Sequence, residues 1–485
     1  MSNLINKALH VAELSLQMIK STSSNEKIPA RVNIENRHKL AASGFTPGVK
    51  YDVSIKPDRI VFKISENGTN TVSPKVFRLR NGEVVGSRCD VRQAEVAEKF
   101  GCAGKLMVFY MKGYLVITAS AIAINNNRRI ERLRKAIAER KIETFSLYSG
   151  IGTLDSAIHD GFKLGGVNAR LIGVNDSWGK AVSCLLADNP CSSASTKSYT
   201  MGLESLIAMG GGNIGDAVMI NAGIVCKGAS KLNVATRDLP ELHDTAGHQV
   251  LNLVMALQAA KWQTPLIHAE NVVAWTDTVS CSMLERVLVE QGYDVVYIGA
   301  QNEGGYAGLD LSEYGEIEKR VRMSLLAYPK GLGDFDMSFL DRFRTGNSTK
   351  TIADIRLPES RIDQSDYDKG KNLFSEKKRS KGWKVRVMSE SANVTPSLSA
   401  GCWRQRVEDP RFKHPSDHRS RIPVPEEHCA LKGHDDSIIE SMPYATNAHT
   451  ALGNGVARKP WIAVGYAIVS NIKRWIGCDI SFVAA

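Results

Sequence analysis

No apolar run in this chain approaches the ~18–20 residues a membrane span needs. The opening stretch, MSNLINKALHVAELSLQMIK, has neither the apolar block nor the small-residue cleavage site of an export signal. With Glu13 inside it, it reads instead as an amphipathic helix. The nine cysteines are odd in number and follow no framework spacing, which points to reduced thiols in a cytoplasmic setting. The glycine turn at 150–152 is neither a phosphate-loop G-x-x-x-x-G-K nor a dinucleotide G-x-G-x-x-G signature. Cys402, His414, His418 and Cys429 match no standard zinc spacing, so no metal is expected.

What is present is length and positive charge. A chain of 485 residues suggests two to four domains. Its net charge of +11 points to a polyanionic partner, most commonly nucleic acid. Residues 1–142 form a first, β-rich block. A Gly-Phe-Thr-Pro-Gly turn (44–48) leads to Tyr51, Val53, Ile55 and then Ile60, Phe62, Ile64, a period-2 alternation on either side of Lys56-Pro57-Asp58. The pattern returns over 97–120, as a degenerate internal repeat. These units resemble the AbrB-like swapped-hairpin family over about 25 residues each, which implies oligomerisation and DNA contact through this block. Asn125–Lys141 follows as a charged linker helix with Ile130, Leu133 and Ile137 on one stripe.

From Ile142 the texture changes to alternating strands and helices. IETFSLYSGIGTLDSAIHDGF is a strand, a turn over Tyr148, Ser149, Gly150, Ile151 and Gly152, and an amphipathic helix. Such a turn lets the backbone approach a ligand and aims helix N–H groups at it. ARLIGVNDSW ends a second strand on Asn175-Asp176, where an acid can meet ribose hydroxyls. INAGIVCKGAS (220–230) puts Cys226 in a turn of small residues after a buried strand. Glu270 closes a further strand on the same sheet edge. Arg320 and Arg322 alternate on an extended segment and so share a side.

The order of these motifs resembles the cytosine carbon-5 DNA methyltransferases over about 143–475. SLYSGIG is similar to that family's D-L-F-x-G-x-G, VNDSW to its N-E motif, GIVCKGAS to its G-x-P-C-x-x-x-S loop, and AENV to its E-N-V. Glu318–Arg322 is similar to Q-x-R-x-R, 421–434 to R-x-L-T-x-x-E-x-x-x-L-Q-G-F, and LGNGV (452–456) to G-N-x-V. The resemblance implies an α/β fold, the Rossmann-like mixed sheet of S-adenosylmethionine-dependent methyltransferases with helices on both faces. It implies a catalytic domain over 143–334, a target-recognition domain over 335–420, and closing motifs with a C-terminal helix over 421–485.

The cofactor, S-adenosylmethionine, is then expected over Tyr148–Gly152, with Asn175 and Asp176 near the ribose and Asn454 and Val456 at the methionine end. Cys226 is the implied nucleophile, Glu270 the acid at cytosine N3, and Arg320 and Arg322 the clamp on a flipped base and its phosphate. Double-stranded DNA is the implied partner. The recognition region is basic, with Lys381, Lys384, Arg386, Arg404 and Arg406 read as phosphate contacts, Arg411 and Arg421 in the same run, and Trp383 and Trp403 interleaved.

Departures from the pattern are Val225 for the proline before the nucleophile, Lys227 for Gln, Ser146 for the first-motif Asp, Asp176 for Glu, and Glu318 for Gln. They suggest a divergent, phage-like member acting in DNA modification or restriction-modification. They leave open RNA as substrate, a transferred group larger than methyl, and a DNA-binding regulator with a degenerate catalytic half. Nothing suggests the folate site of a pyrimidine hydroxymethylase.

Overall fold

The computed structural model describes residues 2–18, 30–100, 105–229, 240–303, 305–369, 385–407 and 409–477. Contacts divide the chain into two units, 1–128 and 129–485.

The first unit is built on two antiparallel sheets. One has six strands, in the order His10–Ser15, Lys105–Met111, Tyr114–Ala119, Ile60–Ile64, Lys50–Ile55, Asn70–Thr71. The other has four: Gln17–Met18, Ala30–Asn36, Gly82–Gln93 and Ser73–Leu79. The two halves of the sequence repeat are hairpins of the first sheet and adjoin through Ile60–Ile64 and Tyr114–Ala119. The long N-terminal helix expected from sequence is not formed. Helix covers only Ser2–Lys7, and His10–Ser15 pairs as an edge strand with Lys105–Met111. Ala12, Leu14 and Leu16 alternate onto the core of this unit, so the period-2 face wins over helical periodicity.

The charged helix Ala121–Ala138 continues into the second unit, where Leu133, Ala136 and Ile137 enter a core. There the sheet strands are β1 (Lys141–Leu147), β2 (Asn168–Asn175), β3 (Lys197–Tyr199), β4 (Met219–Gly223), β5 (Leu266–Asn271), β6 (Tyr293–Tyr297), β7 (Ala300–Asn302), β8 (Gly305–Asp310) and β9 (Val321–Pro329). Their spatial order is β3-β2-β1-β4-β5-β9-β8-β7, with β6 also paired to β9. The first five run parallel, and β9 is antiparallel to β5, β6 and β8. Strands buried on both faces read as near-continuous apolar runs. Met219 and Leu266 point into one core with Ile158, Phe162 and Trp461, while Ile220 and Ile267 point into the other with Leu253, Leu257 and Leu284.

The further helices of six residues or more among the described residues of the second unit are α1 (Thr153–Leu164), α2 (Gly179–Asp188), α3 (Leu203–Ala208), α4 (Gln249–Ala259), α5 (Val279–Glu290), α6 (Pro425–Leu431), α7 (Ala445–Asn454) and α8 (Arg458–Trp475). The 3-10 segment Met337–Phe343 packs on α8, with Phe339 and Phe343 against Tyr466. Among the described residues, no helix is long and apolar enough to cross a membrane.

Chain order reverses between β1 and β4, and ligands gather outside the strand ends at such a switch point. One carboxylate ties that point together. Asp155, in the first turn of α1, accepts from Ser146 Oγ of β1 at 2.6 Å and from Asn221 Nδ2 of β4 at 2.9 Å. Complete burial pushes its carboxyl up to about 6, against the pull of these two bonds.

α1 and α8 meet backbone to backbone. A Cβ at Gly465 would lie 2.4 Å from the Ile158 carbonyl oxygen, and one at Gly161 2.2 Å from that of Ile462. Gly465→Val is therefore expected to destabilise the chain by about 1–3 kcal/mol, because overpacking here pushes on backbone and outweighs any gain in helix propensity. Urea unfolding midpoints check this; an unchanged midpoint contradicts it.

Candidate active site

The three loops after β1, β2 and β4 meet the end of β5 and the end of α7 around a cavity of about 700 Å³. It is lined by Cys226, Glu270, Arg320 and Arg322, and by Tyr148, Ser149, Gly150, Ile151, Asn175, Asp176, Asn454 and Val456. The structure thus gathers all four expected catalytic residues with all but one of the expected cofactor residues. Gly152 is the exception. It sits at the N-cap of α1 with φ +74°, and a Cβ there would strike Asn189 Nδ2 at 2.8 Å. Its smallness serves the turn and not the cavity.

The glycine turn is held by backbone geometry. Tyr148 and Gly150 both have φ of 55°, a left-handed conformation that a tyrosine adopts only when its surroundings enforce it. The Tyr148 hydroxyl donates to the Gln249 carbonyl at 3.0 Å. Asp176 accepts from Gly150 N–H and Trp178 N–H, both at 2.8 Å, so it braces the turn while each oxygen keeps a further lone pair. Asn175 donates to the Tyr199 and Met201 carbonyls, each at 2.9 Å, and so acts mainly as a bracket between strand ends.

These residues suit S-adenosylmethionine. Ser149 Oγ is buried and has no protein partner. A Cβ at Gly150 would meet nothing within 4 Å. Carboxylates of Asp176 and Glu204 and the flat indole of Trp178 line the same cavity. Acceptors for hydroxyls, negative charge for a sulfonium and an aromatic face for a purine are the chemistry such a ligand requires. Trp178 and Glu204 were not singled out from sequence. Trp178 ends the VNDSW motif, a signal that was there to be used; Glu204 opens α3 with no motif around it.

Cys226 lies three residues beyond β4, partly exposed. Asn271 Nδ2 donates to the Ile224 carbonyl at 3.3 Å, and Ala229 N–H closes a turn on the Cys226 carbonyl at 3.1 Å. Glu270 stands opposite Gly223 in the β4–β5 register. Its Oε1 lies 3.0 Å from Arg322 Nε. Burial raises the Glu270 carboxyl above its ordinary range, and the charges of Arg322, Arg320 and Lys432 offset this only in part. Burial lowers Arg322 to about 10, with Arg320 adding to the effect and Glu270 and Cys226 opposing it.

The two arginines are used differently. Arg320 Nη1 donates to the Gly455 carbonyl at 2.8 Å and Nη2 to the Gly453 carbonyl at 3.1 Å, so it caps the C-terminal end of α7, where a cation is favoured. A Cβ at Gly455 would lie 2.7 Å from Thr153 Oγ1, which shows how closely this end approaches α1. Behind Arg320, Glu318 accepts from Lys432 Nζ at 2.9 and 2.8 Å and from Ser397 Oγ. Burial alone would raise the Glu318 carboxyl, but Lys432, Arg320 and Ser397 hold it below the ordinary carboxylate range.

The expected nucleic-acid contacts divide into two groups. Arg386, Arg404 and Arg406 are exposed, and Arg404 stacks on Trp403 with its guanidinium 4.8 Å from the ring. Lys381, Lys384 and Trp383 lie outside the described residues. Arg411 and Arg421, read from sequence as part of the same basic surface, are fully buried. Arg411 donates to Ser420 and Gln405, and Arg421 forms a two-bond fork with Glu427 at 2.6 and 2.8 Å. They hold the region together and are not free to meet phosphate.

No family model and no curated protein matches the chain. Solved structures match it in shape. The S. pombe Dnmt2 methyltransferase gives a TM-score of 0.52 at 16% identity, over 69% of this chain and 99% of that one. The Entamoeba histolytica methyltransferase EhMeth gives 0.49 at 13%, over 69% and 99%. A mutant of Spodoptera frugiperda DNMT2 gives 0.47 at 13%, over 68% and 99%. The first of these likenesses, with the sheet order and its antiparallel β9, shows the S-adenosylmethionine-dependent methyltransferase fold. None of the comparisons supports the swapped-hairpin resemblance of the N-terminal block.

Lys432→Met is expected to cost about 3–5 kcal/mol, because it strands Glu318 as a buried charge. Adding Glu318→Gln to the same chain should recover most of the loss in urea unfolding. Equal stability of single and double variants would remove the ion pair from this account.

Proposed function

We propose that the chain is an S-adenosylmethionine-dependent DNA cytosine carbon-5 methyltransferase that works through a covalent Cys226 adduct. The observation that carries this reading is the convergence of Cys226, Glu270 and Arg322 on one wall of the cavity whose other end suits the cofactor. Carbon 5 of cytosine is a poor nucleophile. Addition of the Cys226 thiolate to carbon 6 breaks the 5,6 double bond and moves an electron pair towards carbon 5. A carboxyl of raised pKa at Glu270 holds a proton for ring nitrogen 3 and keeps the adduct from accumulating negative charge there. S-adenosylmethionine, when bound, supplies the methyl as an electrophile for carbon 5. A base then takes the carbon-5 proton, the double bond re-forms, and Cys226 leaves as thiolate.

Arg322 has two tasks in this scheme. It orients Glu270, and it places positive charge within reach of the sulfur. The target base must leave its stack to reach the cavity, and Arg386, Arg404 and Arg406 supply exposed cations for the phosphates that flank it. The N-terminal unit is read as an accessory to DNA binding, by way of oligomerisation.

Fluorine at carbon 5 cannot leave as a proton, so duplex DNA carrying 5-fluorocytosine should trap the chain covalently in the presence of S-adenosylmethionine. Cys226→Ala should abolish the trapped band. Trapping on structured RNA in place of DNA would move the substrate assignment to RNA. No adduct on either, with DNA still bound, would favour a regulator with an inactive catalytic half.

Glu270→Gln should lower the single-turnover rate by about 10²–10⁴. The required Glu270 form is the protonated one and its pKa is raised, so the wild-type rate should fall as pH rises through that value. The Gln variant should lack this alkaline limb. A limb retained in Glu270→Gln would assign it to another group.

A further inference from the structure

Cys402 opens the 3-10 turn Cys402–Arg404, His428 lies in α6 and His449 in α7. The cysteine–histidine set weighed from sequence is not the one that forms; Cys402 meets these two histidines instead. All three side chains are buried, and one donor atom from each lies within 4.8 Å of the others. The two histidines present the same ring atom to each other, Nδ1 to Nδ1, at 3.1 Å.

A plain hydrogen bond between neutral imidazoles leaves this arrangement incomplete. Only one of the facing nitrogens carries a proton. If His428 accepts at Nδ1, its proton sits on Nε2, which is buried with no partner. If His428 donates, Nε2 is a bare buried lone pair. The Cys402 sulfur adds a third donor. A divalent cation takes both Nδ1 lone pairs and the sulfur at once, and each ring then carries its proton on Nε2. Two nitrogens bound at ~2.0–2.1 Å to one tetrahedral centre stand about 3.3 Å apart, near the spacing found.

We propose that Cys402, His428 and His449 are ligands of a structural zinc-class metal site that staples the Cys402 turn to α6 and α7. One thiolate and two imidazoles form a borderline-soft donor set that suits zinc and excludes magnesium and calcium. The fourth position falls to a water. The staple has a functional address. His449 immediately precedes Thr450 and Ala451, which line the cavity, and α7 ends on the carbonyls held by Arg320. On the other side, Cys402 precedes the stacked Trp403 and Arg404.

The test needs no catalytic assay. The full chain, purified without chelator and desalted, should carry about one zinc per chain by elemental analysis. Cys402→Ser and His449→Ala, each checked for folding by circular dichroism, should carry less than a tenth of that. Cys429→Ser, which removes a buried cysteine outside the trio, should keep it. Should the ligand variants fail to fold, titration of the chelator-stripped wild-type chain with Co²⁺ alone should give tetrahedral visible bands and a thiolate charge-transfer band at one equivalent. Wild-type chain that holds no zinc and gives no such bands overturns the proposal, as does a folded Cys402→Ser chain with its zinc intact.

Discussion

Five buried or half-buried ionisable groups hold this site together: Glu270, Arg322, Arg320, Glu318 and Lys432. Desolvation makes each of them costly unless a partner and further hydrogen bonds are in place. The partners come from β5, the strand pair around Arg320 and the end of α6, so the set is satisfied only when the sheet and the closing helices are assembled. Three cations against two acids leave a surplus of one positive charge when all are ionised. Protonation of Glu270, which its burial favours, raises that surplus to two. A buried surplus of this sign draws an anion towards the cavity wall where Cys226 stands. The constraint that stabilises the fold and the positive field at the cavity have the same origin.

The position Ser146 shows how a missing charge can be supplied from elsewhere. By sequence, the first motif has lost its acid. In the structure, Asp155 reaches back from α1 and bonds Ser146 and Asn221 together. The carboxylate at the switch point is present, but it arrives from the helix and not from the strand. Its bonds cross between β1 and β4, which carry the glycine turn and the Cys226 loop. A change at Asp155 therefore reaches both ends of the cavity, although no part of the proposed chemistry uses it.

What the chain shows in its sequence is what is local. Turns after strands carry their own chemistry, so Tyr148 to Ile151, Asp176, Cys226 and Glu270 can be picked out from short motifs and then meet in space. Charge counts are less informative, because they see sign and not burial. Arg411 and Arg421 read as phosphate contacts until Glu427 and Ser420 are found beside them. Arg320 looks like half of a pair, and only the fold brings α7, more than a hundred residues later, against its guanidinium. The opening segment carries both a helical stripe and an alternating face, and the open edge beside Lys105–Met111 decides between them. His428 and His449 carry no recognisable spacing with Cys402, since the three come from separate segments.

The Cys226 loop shows most clearly how a tertiary contact takes over a local rule. A proline at position 225 would fix φ within the loop itself; Val225 cannot. The loop is held instead from outside, by the Asn271 amide on the Ile224 carbonyl and by the turn from Cys226 to Ala229. Asn271 is the neighbour of Glu270 on β5. A proline would make the sulfur's position a property of its own loop. The asparagine makes it a property of the strand that also carries the acid. A shift of β5 then moves Cys226 and Glu270 together and preserves the spacing between them. In such a frame the separation of Cys226 and Glu270 is set by one β4–β5 register, in which Gly223 faces Glu270, and loop stiffness becomes secondary.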